Sequence, residues 1–420
     1  MSLAVRQVLP AERDAGVHSL MAQLGAAATT TPFGPELVDF GAAFSRRLSR
    51  EARGLPEAQA LAFWMRRAEI SRLAAEFAAL GNDRVLLVPR GTVFHVPPGN
   101  VDTIFVYSWL LSTLVGNRNV VRLSSRNSEQ TELIIGVLRS LLDDGAYPTV
   151  RAGTAMIRYG RDRAVTDALS AGCDLRVVWG GDGTVAEVRR SPLPPHATEL
   201  TFPDRFSLAA LAACGYLALP ESGRDALLER FFTDAYWFDQ LGCSSPRLVV
   251  WVGERGAVDR ASPDFFARLA ETTRRRGYRV DTATAVAKLG YGCRAAIEAP
   301  VAALHRYDNS VTVLPLTTFA AELRGDACGD FSGAGLFFQL RVDSLLDLVP
   351  HIERRDQTLA QFGFAVGELT DLVRALNGRG IDRIVPFGRA LTFDRVWDGH
   401  DLLQSFTRRS TVDASEVPLT

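Results

Sequence analysis

Five cysteines lie scattered at positions 173, 214, 243, 293 and 328, and one of them has the surroundings of a nucleophile. Cys243 falls in FDQLGCSSPRLVVW (238–251), in a small-residue turn between an amphipathic helix and a strand. Gly242, Ser244 and Ser245 leave room for a substrate, and nearby backbone N–H groups can lower a thiol pKa. A cysteine is more often a small buried apolar residue, as Cys214 at the end of an apolar strand illustrates. The second candidate is HVPPGNVDT (95–103). Pro97, Pro98 and Gly99 impose a turn between a strand and an apolar helix. The N-terminus of that helix suits a phosphate or a developing oxyanion, and Asn100 adds an amide donor beside it. On the turn alone, a strand–helix connection with Asn100 bonding its own backbone is the simpler reading.

Two further loops could hold phosphates. VVRLSSRN (120–127) ends a strand, where open parallel sheets face their ligand crevice. Arg122, Ser124, Ser125 and Arg126 supply charge and hydroxyls there, and no acidic residue stands ready for a bare ribose. WGGDGT (179–184) also joins a strand to a helix, and Gly180 and Gly181 let backbone approach a nucleotide closely. Such turns are common and weak signals singly. The six histidines form no assignable dyad, and His95 reads as a satisfied structural residue. No HExxH, EF-hand, P-loop or GxSxG pattern occurs, so no metal is expected.

The elements that must position these residues follow from hydrophobic periodicity. Residues 1–83 read as an N-terminal helical region. From Arg84 strands alternate with amphipathic helices: strands at 85–89, 93–96, 119–123, 155–160 and 175–181, with helices from 103, at 129–142 and at 162–170. This indicates βαβ units and a parallel sheet. After a Pro-rich turn, SPLPPH (191–196), a second α/β set follows, with a helix at 223–238 and strands at 206–212, 247–253, 311–316, 336–342 and 382–388. The expected division is 84–205 for a Rossmann-like cofactor domain, 206–390 for an α/β catalytic domain and 391–420 for a C-terminal tail.

Bulk composition excludes other classes. A chain of 420 residues with 47% hydrophobic and 23% charged residues is globular, of two or three domains. A net charge of −1 gives no general attraction to nucleic acid or anionic membrane. Its basic residues are almost all arginine, Lys288 being the single lysine. Scattered cysteines argue against a disulfide framework. The N-terminus lacks an apolar signal core, and the apolar stretch 103–116 is too short to span a bilayer. A cytoplasmic location is expected.

Taken together, HVPPGNVDTIFVYSW, GNRNVVRLSSR, VVWGGD, FDQLGCSSPRLVVW and VWDG (396–399), in that order, resemble the long-chain fatty acyl-CoA reductases of the bacterial bioluminescence type, within the aldehyde dehydrogenase superfamily. The resemblance runs from about residue 60 to 405. It implies an aldehyde dehydrogenase-like fold, with Cys243 as the catalytic thiol and Asn100 in the oxyanion hole. Arg122 and Ser125 stand where the superfamily usually presents a lysine and a glutamate to the adenosine ribose; losing the acid favours NADPH. Pro98 and Gly99 belong to the cofactor side, Gly180 and Gly181 match the turn covering the pyrophosphate, and Asp330 in DFSGA (330–334) looks like the acid that contacts the nicotinamide ribose. The glutamate that activates water in aldehyde-oxidising members corresponds here to Glu199, with a small shift, or to Thr201 in strict register.

The resemblance implies NADPH-dependent reduction of an acyl thioester, from acyl-CoA or an acyl-carrier protein, to an aldehyde through an acyl-Cys243 intermediate. It also implies a homo-oligomer. Two alternatives stand beside it: an aldehyde dehydrogenase running oxidatively with Glu199 as base, and a non-catalytic nucleotide-binding subunit.

Overall fold

The computed structural model describes residues 3–99, 101–125, 128–324 and 330–413. The chain forms two compact units: one of the residues up to Pro203 together with those from Phe393 on, the other Asp204–Thr392.

The first unit opens with a hairpin, β1 (Ala4–Leu9) and β2 (Arg13–Gly16). Four helices follow, Val17–Ala26, Pro35–Glu51, Pro56–Trp64 and Arg67–Ala78. The amino-terminal stretch is thus helical only from Val17. β1 carries a buried apolar side (Val5, Val8, Leu9) and uses it to extend a sheet. β3 (Val85–Pro89) stays outside that sheet and pairs with the strand Thr407–Thr411. The sheet proper holds β4 (Thr92–Val96), β5 (Arg118–Arg122), β6 (Thr154–Arg158), β7 (Leu175–Trp179) and β8 (Thr198–Phe202), in the order β2-β1-β6-β5-β4-β7-β8. β4 to β8 run parallel. Every residue of β4 and β7 is buried, as expected of a parallel sheet covered on both faces. The wholly buried helix Ile104–Leu114 connects β4 to β5. The chain steps from β4 outward to β5 and β6, then returns to place β7 and β8 on the other side. This is the dinucleotide-fold order, in which the strand order reverses between β4 and β7, the place where open parallel sheets generally bind ligands.

The second unit has its own sheet: β9 (Phe206–Ala212), β10 (Leu248–Val252), β11 (His305–Arg306), β12 (Thr312–Pro315), β13 (Leu336–Val342), β14 (Asp356–Phe362) and β15 (Arg383–Pro386), ordered β11-β12-β13-β10-β9-β14-β15. All but β11 are parallel. Alternation along β10 sends Val249 and Trp251 into a core with Phe231, Phe265 and Phe337, and Leu248 and Val250 into a second core with Leu208, Phe338 and Leu359. Each such side chain contributes roughly 1.5–3 kcal/mol by leaving water. The helices Arg255–Arg275, Thr282–Glu298 and Val366–Leu376 and the strand β14 complete the unit.

Candidate active site

Cys243 stands just before β10 and is half-buried. The chain reaches it from the helix Glu221–Tyr236 through an unusual turn. Phe238, Asp239 and Gln240 take φ values of 56°, 52° and 66°, three successive left-handed residues without a glycine. Left-handed backbone costs roughly 1–2 kcal/mol per non-glycine residue, so surrounding bonds must hold this turn. They do. Gln240 is wholly buried. Its Nε2 donates to Pro246 O and Leu336 O, both at 2.9 Å, and its Oε1 accepts from Gly335 N at 2.9 Å and Leu336 N at 3.1 Å. Asp239 accepts from Tyr278 Oη at 2.9 Å, and its carbonyl accepts from Ala334 N at 2.9 Å.

The floor beneath Cys243 is polar and buried. Ser207 Oγ donates to Cys243 O at 2.7 Å, and Ser244 Oγ lies 3.9 Å from Cys243 Sγ, 3.4 Å from Gln357 Oε1 and 3.3 Å from Thr358 Oγ1. Ser207, Gln357 and Thr358 open β9 and β14, so the thiol sits over the amino ends of the parallel strands. The Arg247 guanidinium stacks 4.4 Å from the Phe331 ring. Burial lowers its hold on its proton, while the charges of Tyr291, Asp204 and Cys243 act the other way. The Arg247–Phe331 stack and the Gln240 bonds also tie the 330–335 segment to the Cys243 turn. Asp330, at the start of that segment, is exposed.

In the first unit the expected cofactor residues gather at the strand ends. Gly99 follows β4 and Ser124 follows β5. A Cβ at Gly99 would come within 3.2 Å of Ser124 Oγ, so glycine is what lets that hydroxyl approach the turn. Pro98 and Ser124 are half-buried, and Ser125 is exposed. The Arg122 guanidinium lies 4.7 Å from the Tyr159 ring and donates to Gly160 O at 3.4 Å. Gly180 has a φ of 155° and donates its N–H to Phe202 O at 3.1 Å. Gly181 then caps the helix Asp182–Arg189 without a side-chain bond. Asp182 in that first turn suits the helix dipole but opposes an anion. These loops lie at the carboxyl ends of β4, β5 and β7. Asn100 and Arg126 lie outside the described residues.

Glu199, one of the two residues expected at the base position, sits on β8. Its Oε2 accepts from Arg176 Nε and Nη2 at 2.8 and 2.6 Å, and its Oε1 accepts from Arg189 Nε at 2.7 Å. Arg176 is itself buried and donates further to Ser170 Oγ and Ser191 O. The carboxylate is committed to two guanidinium groups. Thr201, on the same strand, takes a longer bond of 3.4 Å from Arg189.

His95 is structural. It is fully buried in β4, accepting from Ser108 Oγ at 2.8 Å and donating to Asn119 Oδ1 at 2.9 Å. Burial pushes its pKa down to about 4, against a smaller upward pull from Asn119. The folded chain thus resists a proton that the unfolded chain accepts near 6.5. Stability should fall as pH drops from about 6.5 toward 4, by about 3 kcal/mol over the whole window. The check is urea unfolding at pH 7 and pH 5 for wild type and His95→Gln. The variant should lose most of the pH dependence that His95 contributes; identical slopes would contradict a buried neutral imidazole.

Sequence reasoning missed Gln240, Arg247, Ser207 and Lys288. The signals available were modest: a polar amide in a glycine-poor approach to Cys243, and a lone lysine in an arginine-rich chain. Among the described residues no group of three or more His, Cys, Asp or Glu side chains could hold a metal ion, and no helix is long and apolar enough to cross a membrane.

Comparison with known proteins bears on both units. Residues 59–284 match the family described as acyl-CoA reductase (LuxC). A long-chain acyl-protein thioester reductase of Aliivibrio fischeri is 25% identical over 182 residues, which make up 43% of this chain and 36% of that protein. The match therefore spans only about a third of that relative's length. A Mycobacterium tuberculosis aldehyde dehydrogenase solved with NAD+ is 13% identical, with a TM-score of 0.65 over 94% of this chain and 89% of that one. Aldehyde dehydrogenase 21 of Physcomitrella patens, solved with its product succinate, is 12% identical, with a TM-score of 0.63 over 96% of this chain and 87% of that one. The fold is that of the aldehyde dehydrogenases.

Proposed function

Because the chain belongs to the acyl-CoA reductase (LuxC) family, we propose that it reduces an acyl thioester to an aldehyde through an acyl group carried on Cys243, with NADPH as reductant. The observation that carries this reading is the Cys243 turn: a half-buried thiol on a backbone clamped by Gln240, above the buried polar groups of Ser207, Gln357 and Thr358.

The Cys243 thiolate attacks the acyl carbonyl, a carbon–sulfur bond forms, and the tetrahedral oxyanion is held by the Asn100 amide and the Cys243 backbone N–H. The carbon–sulfur bond to the donor breaks, and the departing thiolate of CoA or carrier protein takes a proton. When bound, a reduced nicotinamide would supply a hydride to the acyl carbon; the bond from that carbon to Cys243 Sγ then breaks, which releases the aldehyde and returns the thiolate. Arg122, Ser124, Ser125 and Arg126 are assigned to the adenosine phosphate, Pro98, Gly99, Gly180 and Gly181 to the dinucleotide backbone, and Asp330 to the nicotinamide ribose. Release of a free acid would instead require water to attack the thioester, which needs a positioned base. Glu199 is a poor candidate because its oxygens already accept three bonds from Arg176 and Arg189. That observation favours reduction over the oxidative alternative.

The test is to incubate purified chain with an acyl-CoA and either NADPH or NADH, following cofactor absorbance and trapping aldehyde. One aldehyde should form per NADPH consumed, with NADH used less well. Ser125→Glu places a carboxylate against the 2′-phosphate and should raise KM for NADPH at least tenfold, about 1.4 kcal/mol, with little effect on NADH. No turnover with either cofactor would refute the reading, and equal use of both by wild type would refute the cofactor assignment.

A further inference from the structure

The left-handed turn before Cys243 does not stand alone. Gly333, Ala334 and Gly335 also take positive φ values, 63°, 53° and 76°. The two turns meet back to back. Ala334 N donates to Asp239 O, and Gly335 and Leu336 donate to the Gln240 side chain. The fit is close: a Cβ on Gly333 would lie 2.1 Å from Asp239 O, and one on Gly335 would lie 1.7 Å from Ser310 O. From the far side Lys288, buried on the helix Thr282–Glu298, sends its Nζ to Ala334 O at 2.9 Å and Asn309 O at 2.6 Å. The chain's single lysine is therefore spent on two backbone carbonyls, one of them at the centre of the second turn.

We propose that Gln240 is the positioning residue for Cys243: its amide locks the left-handed turn 238–240 onto the turn 333–335, and Lys288 braces the second turn. The amide suits the task because it offers two donors and two acceptor lone pairs. All four are used here, on backbone groups of Pro246, Gly335 and Leu336. An apolar side chain of the same length would leave those backbone groups unpaired in the interior, and the strained turn would relax toward right-handed backbone. Relaxation moves residues 241–243 relative to Ser207, and with them the thiol. The same lock holds the nucleophile and the 330–335 segment to one frame, so that what binds at Asp330 stays in register with Cys243.

This rests on Cys243 as the nucleophile, and the test separates the two claims. Iodoacetamide is reacted with the full-length chain, without substrate or cofactor, across pH 5–10. Modification of Cys243, Cys214 and Cys293 is followed peptide by peptide; the last two are exposed thiols remote in sequence, Cys214 lying on the helix Ala213–Ala218 and not buried at a strand end as its sequence suggests. Gln240→Met should shift the pH midpoint of Cys243 alkylation and slow its acylation by acyl-CoA tenfold to a hundredfold, the scale of a 1 Å misplacement. Cys214 and Cys293 should react as in wild type. Lys288→Met should shift Cys243 in the same direction by less. In wild type, amide exchange at Gly335 and Leu336 should be as slow as in β10, a readout that needs no variant to fold. Surface-like exchange there, or a folded Gln240→Met with unchanged Cys243 profile and acylation rate, would overturn the proposal. Full activity in Cys243→Ala would sink the catalytic assignment and leave the alkylation result to judge the lock.

Discussion

Cys243→Ala should abolish aldehyde formation, by roughly four orders of magnitude or more, while the chain remains folded. A covalent route has no substitute for its nucleophile, and removing one typically costs that much. The substitution deletes one half-buried sulfur atom. It leaves the Cys243 carbonyl bonded to Ser207 and the Gln240 lock untouched, so the unfolding temperature should stay close to wild type. The adduct supplies the sharper measurement. Acyl-CoA added to wild type without cofactor should leave one acyl group on the peptide that contains Cys243. Because Glu199 is held between Arg176 and Arg189, that adduct should persist instead of hydrolysing. Cys243→Ala should carry no adduct. An adduct on another cysteine, or full turnover in the variant, would remove the thiol from the mechanism.

What the sequence made legible was local. Apolar runs at 93–96, 175–181 and 206–212 announced strands because central parallel strands are buried on both faces and must read as continuous hydrophobics. The helix leading to Cys243 announced itself through Leu227, Leu228 and Phe231, all buried in one core. Ordered motifs then singled out Cys243 as the candidate nucleophile. The amino-terminal hairpin was not legible, since β2 (Arg13–Gly16) has no apolar pattern and is a strand because β1 offers it an edge. The long helix Arg255–Arg275 contains Pro263, which argues against a helix until tertiary packing of Phe265, Phe266 and Leu269 outweighs it. Two features of the site were out of reach for a deeper reason. Glu199 is ion-paired to Arg176, 23 residues away, and Gln240 bonds to Leu336, 96 residues away. Only the folded sheets bring these partners together. The usual rule also points elsewhere for the thiol, because Cys243 lies over the amino ends of β9 and β14, whereas the loops proposed to hold phosphate follow the rule at the carboxyl ends of β4, β5 and β7.

Asn100→Ala should lower kcat on the order of a hundredfold with little change in thermal stability, the loss expected when one oxyanion donor is removed. The two possible roles of this side chain predict different losses. If its amide caps the turn after β4, the substitution should cost about 1 kcal/mol of folding stability, and surviving folded protein should react at the wild-type rate. If it donates to the oxyanion, the loss appears in the acylation step, where negative charge develops on the substrate oxygen. The neighbouring residues make the turn robust to the change. Pro97 and Pro98 restrict the backbone before it, and the helix Ile104–Leu114 behind it is buried along its whole length, so its stability comes from packing and not from its first turn. The measurement is single-turnover acylation of Cys243 by acyl-CoA, with thermal unfolding of the same sample. Slow acylation at an unchanged unfolding temperature assigns Asn100 to the oxyanion. A lowered unfolding temperature with wild-type acylation would assign it to the turn, and would leave the Cys243 backbone N–H as the donor still to be tested.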